Sequence, residues 1–63
     1  MAGPGEVFFE FTVIGAQVRV AAIDGRTGVE VVVLGPASVA RADLERLALR
    51  KLQRRMEKDL RPD

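Results

Sequence analysis

Branched and unbranched aliphatic residues are segregated along this chain, and that division limits what it can fold into. Eight of the nine valines lie between Val7 and Val33, and five of the six leucines lie from Leu44 onward. Branching at Cβ stiffens χ1 and suits a pleated strand, whereas leucine loses little rotamer freedom in a helix. The order is therefore strands first and helix last. A chain of 63 residues has room for one domain. The expected fold is α+β: a three-stranded antiparallel β-meander followed by one long C-terminal α-helix packed on one sheet face.

Residues 1–5, with two glycines and a proline, are expected as a disordered tail, and residues 6–61 as a single β-β-β-α domain. The first strand is expected over Glu6–Ile14. Period two places Val7, Phe9, Phe11 and Val13 on one face. Gly15-Ala16 is a tight turn in which Gly15 supplies a positive φ. The second strand spans Gln17–Ile23. Asp24-Gly25-Arg26-Thr27-Gly28 is the clearest local signal: Asp accepts a backbone hydrogen bond at the start of a turn, and Gly tolerates the left-handed position at its end. The third strand spans Val29–Leu34, and Gly35-Pro36 ends the sheet.

A helix is expected over Val39–Leu60, with Pro62 beyond it as a stop. Ser38 is the first choice of N-cap; Gly35 as cap with Pro36 at the first helical position is the alternative. Asp43 and Glu45 lie early and most basic residues late, as the helix dipole favours. At about 1.5 Å per residue the helix is roughly 30 Å long, so its last turns are expected to overhang strands of roughly 17–20 Å. Ala40, Leu44, Leu47, Ala48, Leu52 and Met56 form its apolar stripe. That stripe is expected on the sheet face built from Val7, Phe9, Phe11, Val13, Val18, Val20, Val29, Val31 and Val33. Leu49 and Leu60 lie off its centre.

One helix covers one face, and both sheet faces are apolar. The second face offers Phe8, Ile14, Ile23, Val32 and Leu34, interrupted by Glu6, Glu10, Arg19 and Glu30. A wetted antiparallel face usually alternates more cleanly with polar residues. Uncovered apolar surface marks contact sites, so Phe8, Ile14, Ile23, Val32 and Leu34 are the candidate self-association residues. Burying about 400 Å² of it per subunit is worth roughly 10 kcal/mol before association costs, at about 25 cal/mol per Å². Strand edges offer a second route. The third strand carries no Pro within its expected span and one charge, so it reads as an unprotected edge. Face stacking and edge pairing both remain open. A homo-oligomer, a dimer first, is the expected assembly, with another protein partner as the alternative. A small domain without disulfides or metals often leans on a partner chain.

The chain has no Cys and no His. That excludes disulfides, Cys/His zinc sites, and any mechanism needing a His base or a Cys nucleophile. Ser38 has no nearby base, Lys51 being the nearest lysine. Glu6, Glu10 and Glu30 read as edge solvation rather than an acid–base pair. The glycines around Arg26 lack the spacing of a phosphate loop. No enzyme, cofactor, metal or catalytic residue is therefore expected. Residues 41–63 carry net +3 and residues 1–40 net −2. Arg50, Lys51, Arg54, Arg55 and Lys58 concentrate the positive charge. They are the candidate phosphate contacts of an alternative function, weak nucleic-acid binding. The same helix lying on an anionic membrane surface is a third reading. No segment reaches the roughly 20 apolar residues of a membrane span, and the start lacks the pattern of a secretory signal. The expected compartment is the cytoplasm.

Three strands and a helix resemble the small DNA-binding domains at the N-terminus of some phage and transposon integrases, whose sheet face enters the major groove. Here that face carries only Arg19 and Arg26 as cations. A closer resemblance runs through Gly5-Glu6-Val7-Phe8-Phe9-Glu10-Phe11, Ile23-Asp24 with Thr27-Gly28 and Glu30-Val31, Gly35-Pro36-Ala37-Ser38, and Leu49-Arg50-Lys51-Leu52. These pieces resemble an uncharacterised family of short bacterial, mainly alphaproteobacterial, proteins. The resemblance implies a free-standing cytoplasmic protein and brings no site residues.

Overall fold

The computed structural model describes residues 6–60. The expected tail at 1–5 and the stop at Pro62 lie outside them. Three strands, β1 (Val7–Ile14), β2 (Gln17–Asp24) and β3 (Glu30–Pro36), precede one helix, α1 (Arg41–Leu60). The sheet order is β1-β2-β3 with both pairs antiparallel, the meander expected from the valine-rich half.

Both turns follow from their residues. Ile14 pairs with Gln17 across Gly15-Ala16. Gly15 has φ of 59° while Ala16 stays at negative φ, which is how a type II′ hairpin uses glycine at its first central position. In the second turn the Thr27 N–H and hydroxyl donate to Asp24 Oδ2 at 2.8 and 2.7 Å. The Gly28 N–H donates to the Asp24 carbonyl at 2.9 Å, with Gly28 at φ 77°. Asp24 is buried, yet its carboxylate is well partnered. The Thr27 hydroxyl, then the Thr27 backbone N–H, hold its pKa below the ordinary value, and burial pushes weakly the other way.

The core is Val18, Val20, Ala22 and Val31 under Leu44, Ala48 and Leu52, flanked by Val7, Phe9, Phe11, Val29, Val33, Val39 and Met56. The helix thus takes the expected face. Its seam is narrower than expected. Leu44, Ala48, Leu52 and Met56, four apart, lie over the sheet, whereas Leu47 is 50% exposed on the flank and Ala40 precedes the helix. The helix packs on β2 and β3 rather than across all three strands. Val13, expected in the core, is therefore 58% exposed.

The β3–α1 junction differs from expectation. Gly35 and Pro36 continue the strand and pair with Val18 and Gln17. The ladder explains how a proline fits. The Asp24 N–H donates to the Val29 carbonyl at 2.9 Å, so odd-numbered residues of β3 face β2 and even-numbered ones face outward. The Pro36 nitrogen lies on the outer side, where no N–H is required. Ser38 is not the N-cap, and neither is Gly35. A turn closed by the Val39 N–H on the Pro36 carbonyl at 3.1 Å uses up these residues, and the Ala40 carbonyl accepts the first helical bonds from Asp43 and Leu44. Gly35 has a different task. A Cβ there would overlap the Leu44 side chain, so glycine lets α1 approach β3 closely. The last turn does not overhang freely: Met56 and Asp59 line a small hollow with Arg26, Thr27 and Val29 at the β2–β3 turn.

Candidate functional site

The registers fix what the face away from α1 presents. Its rows are Phe8–Ile23–Glu30, Glu10–Ala21–Val32, Thr12–Arg19–Leu34 and Ile14–Gln17–Pro36. All five candidate self-association residues, Phe8, Ile14, Ile23, Val32 and Leu34, share this face. Phe8, Ile14 and Leu34 are 47, 58 and 63% exposed, while Ile23 and Val32 are half-buried by their neighbours. Ala21 at the centre is fully buried with no helix above it, closed over by the side chains around it. Arg19 is the one cation in these rows, and Glu10 and Glu30 are the anions. Glu10 and Glu30 stand on opposite outer strands, two strand spacings or about 10 Å apart. They do not converge as an acid–base pair would.

The candidate phosphate contacts divide. Arg50, Lys51 and Arg54 line a groove of about 410 Å³ between α1 and β3, with Val33, Leu34 and Leu47 as its apolar wall. Lys51 is committed: its Nζ donates to the Val32 carbonyl at 2.7 Å. Arg55 pairs with Asp59 at 3.3 Å, and Arg46 with Asp43 at 2.9 Å. Both pairs are exposed and contribute little to stability. Lys58 lies in the last turn, at the negative end of the helix dipole. Among the described residues no group of three or more acidic side chains could hold a metal ion. Among the same residues no helix is long and apolar enough to cross a membrane.

The Lys51 contact was not readable from sequence, because it joins residues 19 apart. It changes the expectation for the third strand. Val32 is even-numbered, so its carbonyl faces outward, and the ammonium occupies an acceptor that an incoming strand would need. The outer edge of β3 is also without an N–H at Pro36. It is not the open edge that its valine run suggested.

Beyond this geometry, a family profile matches residues 4–59, nearly the whole chain. The chain belongs to DUF6898. That family is described as a domain of unknown function, in keeping with the resemblance to an uncharacterised family. No curated protein and no solved structure matches. Membership in DUF6898 therefore brings no substrate, partner or site, and function has to be argued from the surfaces themselves.

Proposed function

We propose that this chain is a non-enzymatic module that associates with a second copy of itself through the sheet face α1 leaves open. The observation that carries this reading is the exposure of Phe8, Ile14 and Leu34 beside half-buried Ile23 and Val32 on one face. A lone subunit gains nothing from that arrangement, since large contiguous apolar patches are rare on monomers. The charges are consistent with a like partner. A copy turned end for end about an axis in the interface brings the Arg19 side chain of each toward the Glu10 or Glu30 carboxylates of the other, as a twofold interface requires. With strands about 4.8 Å apart and about 3.3 Å per residue, the face measures roughly 15 by 20 Å. That is well below the roughly 800 Å² per partner of a standard interface. Face pairing alone makes a weak dimer.

Light scattering after size exclusion tests the reading. A dimer or larger species at tens of micromolar is expected, and a monomer there overturns it. Phe8→Glu with Val32→Glu places two carboxylates on each copy of the face and reduces the mass if the face carries the contact; an unchanged mass points to a strand edge or the helix.

A second reading has one observation behind it, the groove where Arg50, Lys51 and Arg54 converge. With Lys51 and Arg55 already partnered, Arg50 and Arg54 are left to meet phosphates there. Two such contacts give weak nucleic-acid binding with a logarithmic salt slope of about −2. A titration of single-stranded and duplex nucleic acid at two salt concentrations checks it, and no binding at low salt removes it.

A further inference from the structure

We infer that the outer edge of β1 is where two copies pair, antiparallel, into one continuous six-stranded sheet. The inference rests on the self-association reading and supplies an interface that the face alone is too small to provide.

Ladder parity identifies the free groups. The Gly25 N–H donates to the Glu6 carbonyl at 2.9 Å, which places the even-numbered residues of β1 on the side of β2. The N–H and C=O groups of Val7, Phe9, Phe11 and Val13 therefore point outward. β1 contains no proline, and among the described residues nothing pairs with its outer side. The opposite edge has Lys51 on the Val32 carbonyl and Pro36 at its end. The uncovered apolar surface lies on the same side of the molecule. Since α1 sits on β2 and β3, Phe9 and Phe11 are only half-buried and Val13 stands in solvent. From the helix the Arg41 guanidinium reaches over β1, 5.3 Å from the Phe11 ring centroid. A copy aligned along β1 would meet unpaired backbone and uncovered side chains together.

Charge selects the register. Antiparallel partners share a face, so residues of like parity oppose each other. Two registers overlap nearly all of β1. In one, Phe9 opposes Phe11, and Glu10 then opposes Glu10, a like-charge contact that disfavours it. In the other, Phe11 lies on the twofold axis. Phe9 then opposes Val13, Phe8 opposes Ile14, and Glu10 opposes Thr12. No carboxylate meets another, and every apolar side chain of Phe8–Ile14 meets an apolar one. This register also joins the two open faces edge to edge. The apolar area that could then stack on another sheet is doubled.

Backbone amide exchange on the full chain, followed at low and high protein concentration, tests the register directly. The Phe9, Phe11 and Val13 amides are expected to slow about tenfold or more at high concentration. Val7, which lies opposite a turn residue, is expected to exchange fast throughout. A dimer whose Phe9, Phe11 and Val13 amides stay as fast as exposed loop amides overturns the edge and leaves the self-association reading standing. A monomer at all concentrations overturns both. Slowing of Val7 together with Phe9, Phe11 and Val13 would assign the register that sets Glu10 against Glu10 and reject this one. Val13→Pro removes an outward N–H and no β1–β2 bond; it is expected to abolish the slowing at Phe9 and Phe11. Val13→Lys, which keeps the backbone donor and sets an ammonium in place of the apolar partner of Phe9, is expected to weaken the slowing if the proline variant fails to fold. Val32→Glu with Leu34→Glu, both on the open face and neither in β1, is expected to leave the slowing at Phe11 in place. Its loss there, in a folded variant, would assign the contact to the face.

Discussion

β1 and β3 terminate the same sheet, and the helix treats them in opposite ways. β3 lies under α1, receives the Leu44 side chain against Gly35, and has its outward Val32 carbonyl taken by Lys51. β1 lies beside α1, touched at Phe11 by Arg41. Natural sheets blunt an edge with a covering helix, a lysine or a proline. β3 has all three and β1 has none of them. The difference shows that edge protection in a small domain depends on where the helix sits across the sheet, which a count of charges in the strand does not report.

The largest expected effect breaks that comparison at its covered side. Leu52 is fully buried over β2 and β3, and Leu52→Ala should lower stability by about 2–5 kcal/mol. Val13→Ala, the matching truncation on β1, should change it by less than about 0.5 kcal/mol at low concentration, as for other exposed sites. Urea midpoints of the two variants check this. Equal losses would mean that α1 spans β1 as well. Raising the protein concentration should widen the Val13→Ala effect and leave the Leu52→Ala effect unchanged, because only Val13 is placed in the paired edge.

Much of this was legible in the residues. Alternation placed Phe8, Ile14, Ile23, Val32 and Leu34 on one face, and the Asp24–Gly28 turn set the register between β2 and β3. Other features were not legible, each for a physical reason. A 3.6-residue period says which side of a helix is buried and not which strands lie beneath it, so Val13 and Leu47 were placed in a core they do not enter. Gly35-Pro36 looks like a stop, yet a proline whose nitrogen faces the outer edge costs the ladder nothing. Ser38 has good capping chemistry, but the turn from Pro36 to Val39 starts the helix at Arg41, past its reach. The exposure that separates Phe8 from Ile23 on the open face arises from neighbours across strands, which period alone does not give.

Gly35→Ala sharpens the contrast at β3. The added methyl meets the Leu44 side chain, and overpacking of this kind costs about 1–3 kcal/mol. Leu44→Val in the same chain makes room and should recover part of the loss, a coupling that a double-mutant cycle reads directly. Gly15→Ala at the β1–β2 turn meets no atom within 4 Å. Its cost comes from the positive φ alone, and Leu44→Val should do nothing for it.

Lys51→Met should be smaller in stability, about 0.5–1.5 kcal/mol for a lost hydrogen bond, and larger in assembly. It frees the Val32 carbonyl and removes the edge lysine. A second pairing edge then becomes available, and species larger than the wild-type assembly should appear in light scattering. Val13→Pro in the same chain should leave association through β3 intact. If Lys51→Met shows no change in mass, β3 is guarded by the bulk of α1 rather than by the lysine.

The smallest effect isolates the Asp24 turn, which links β3 to the rest of the sheet and has no counterpart at β1. The folded pKa of Asp24 lies below its unfolded value, which is about 3.9 for an ordinary aspartate. Its stabilising contribution is therefore complete above that value and is lost as pH falls through the lower, folded one. Thr27→Val removes the hydroxyl that most lowers this pKa, together with the bond the Val29 N–H makes to the same oxygen at 3.2 Å. Above pH 5 the variant should be less stable than wild type by a constant amount. Below about pH 4 the gap should narrow, since a protonated Asp24 has no charge for the hydroxyl to stabilise, and it should level off at the part owed to Val29. Urea midpoints across that range measure it. A gap that widens toward acid would mean that the Thr27 hydroxyl favours the protonated carboxyl, and the turn would then be held by its backbone bonds alone.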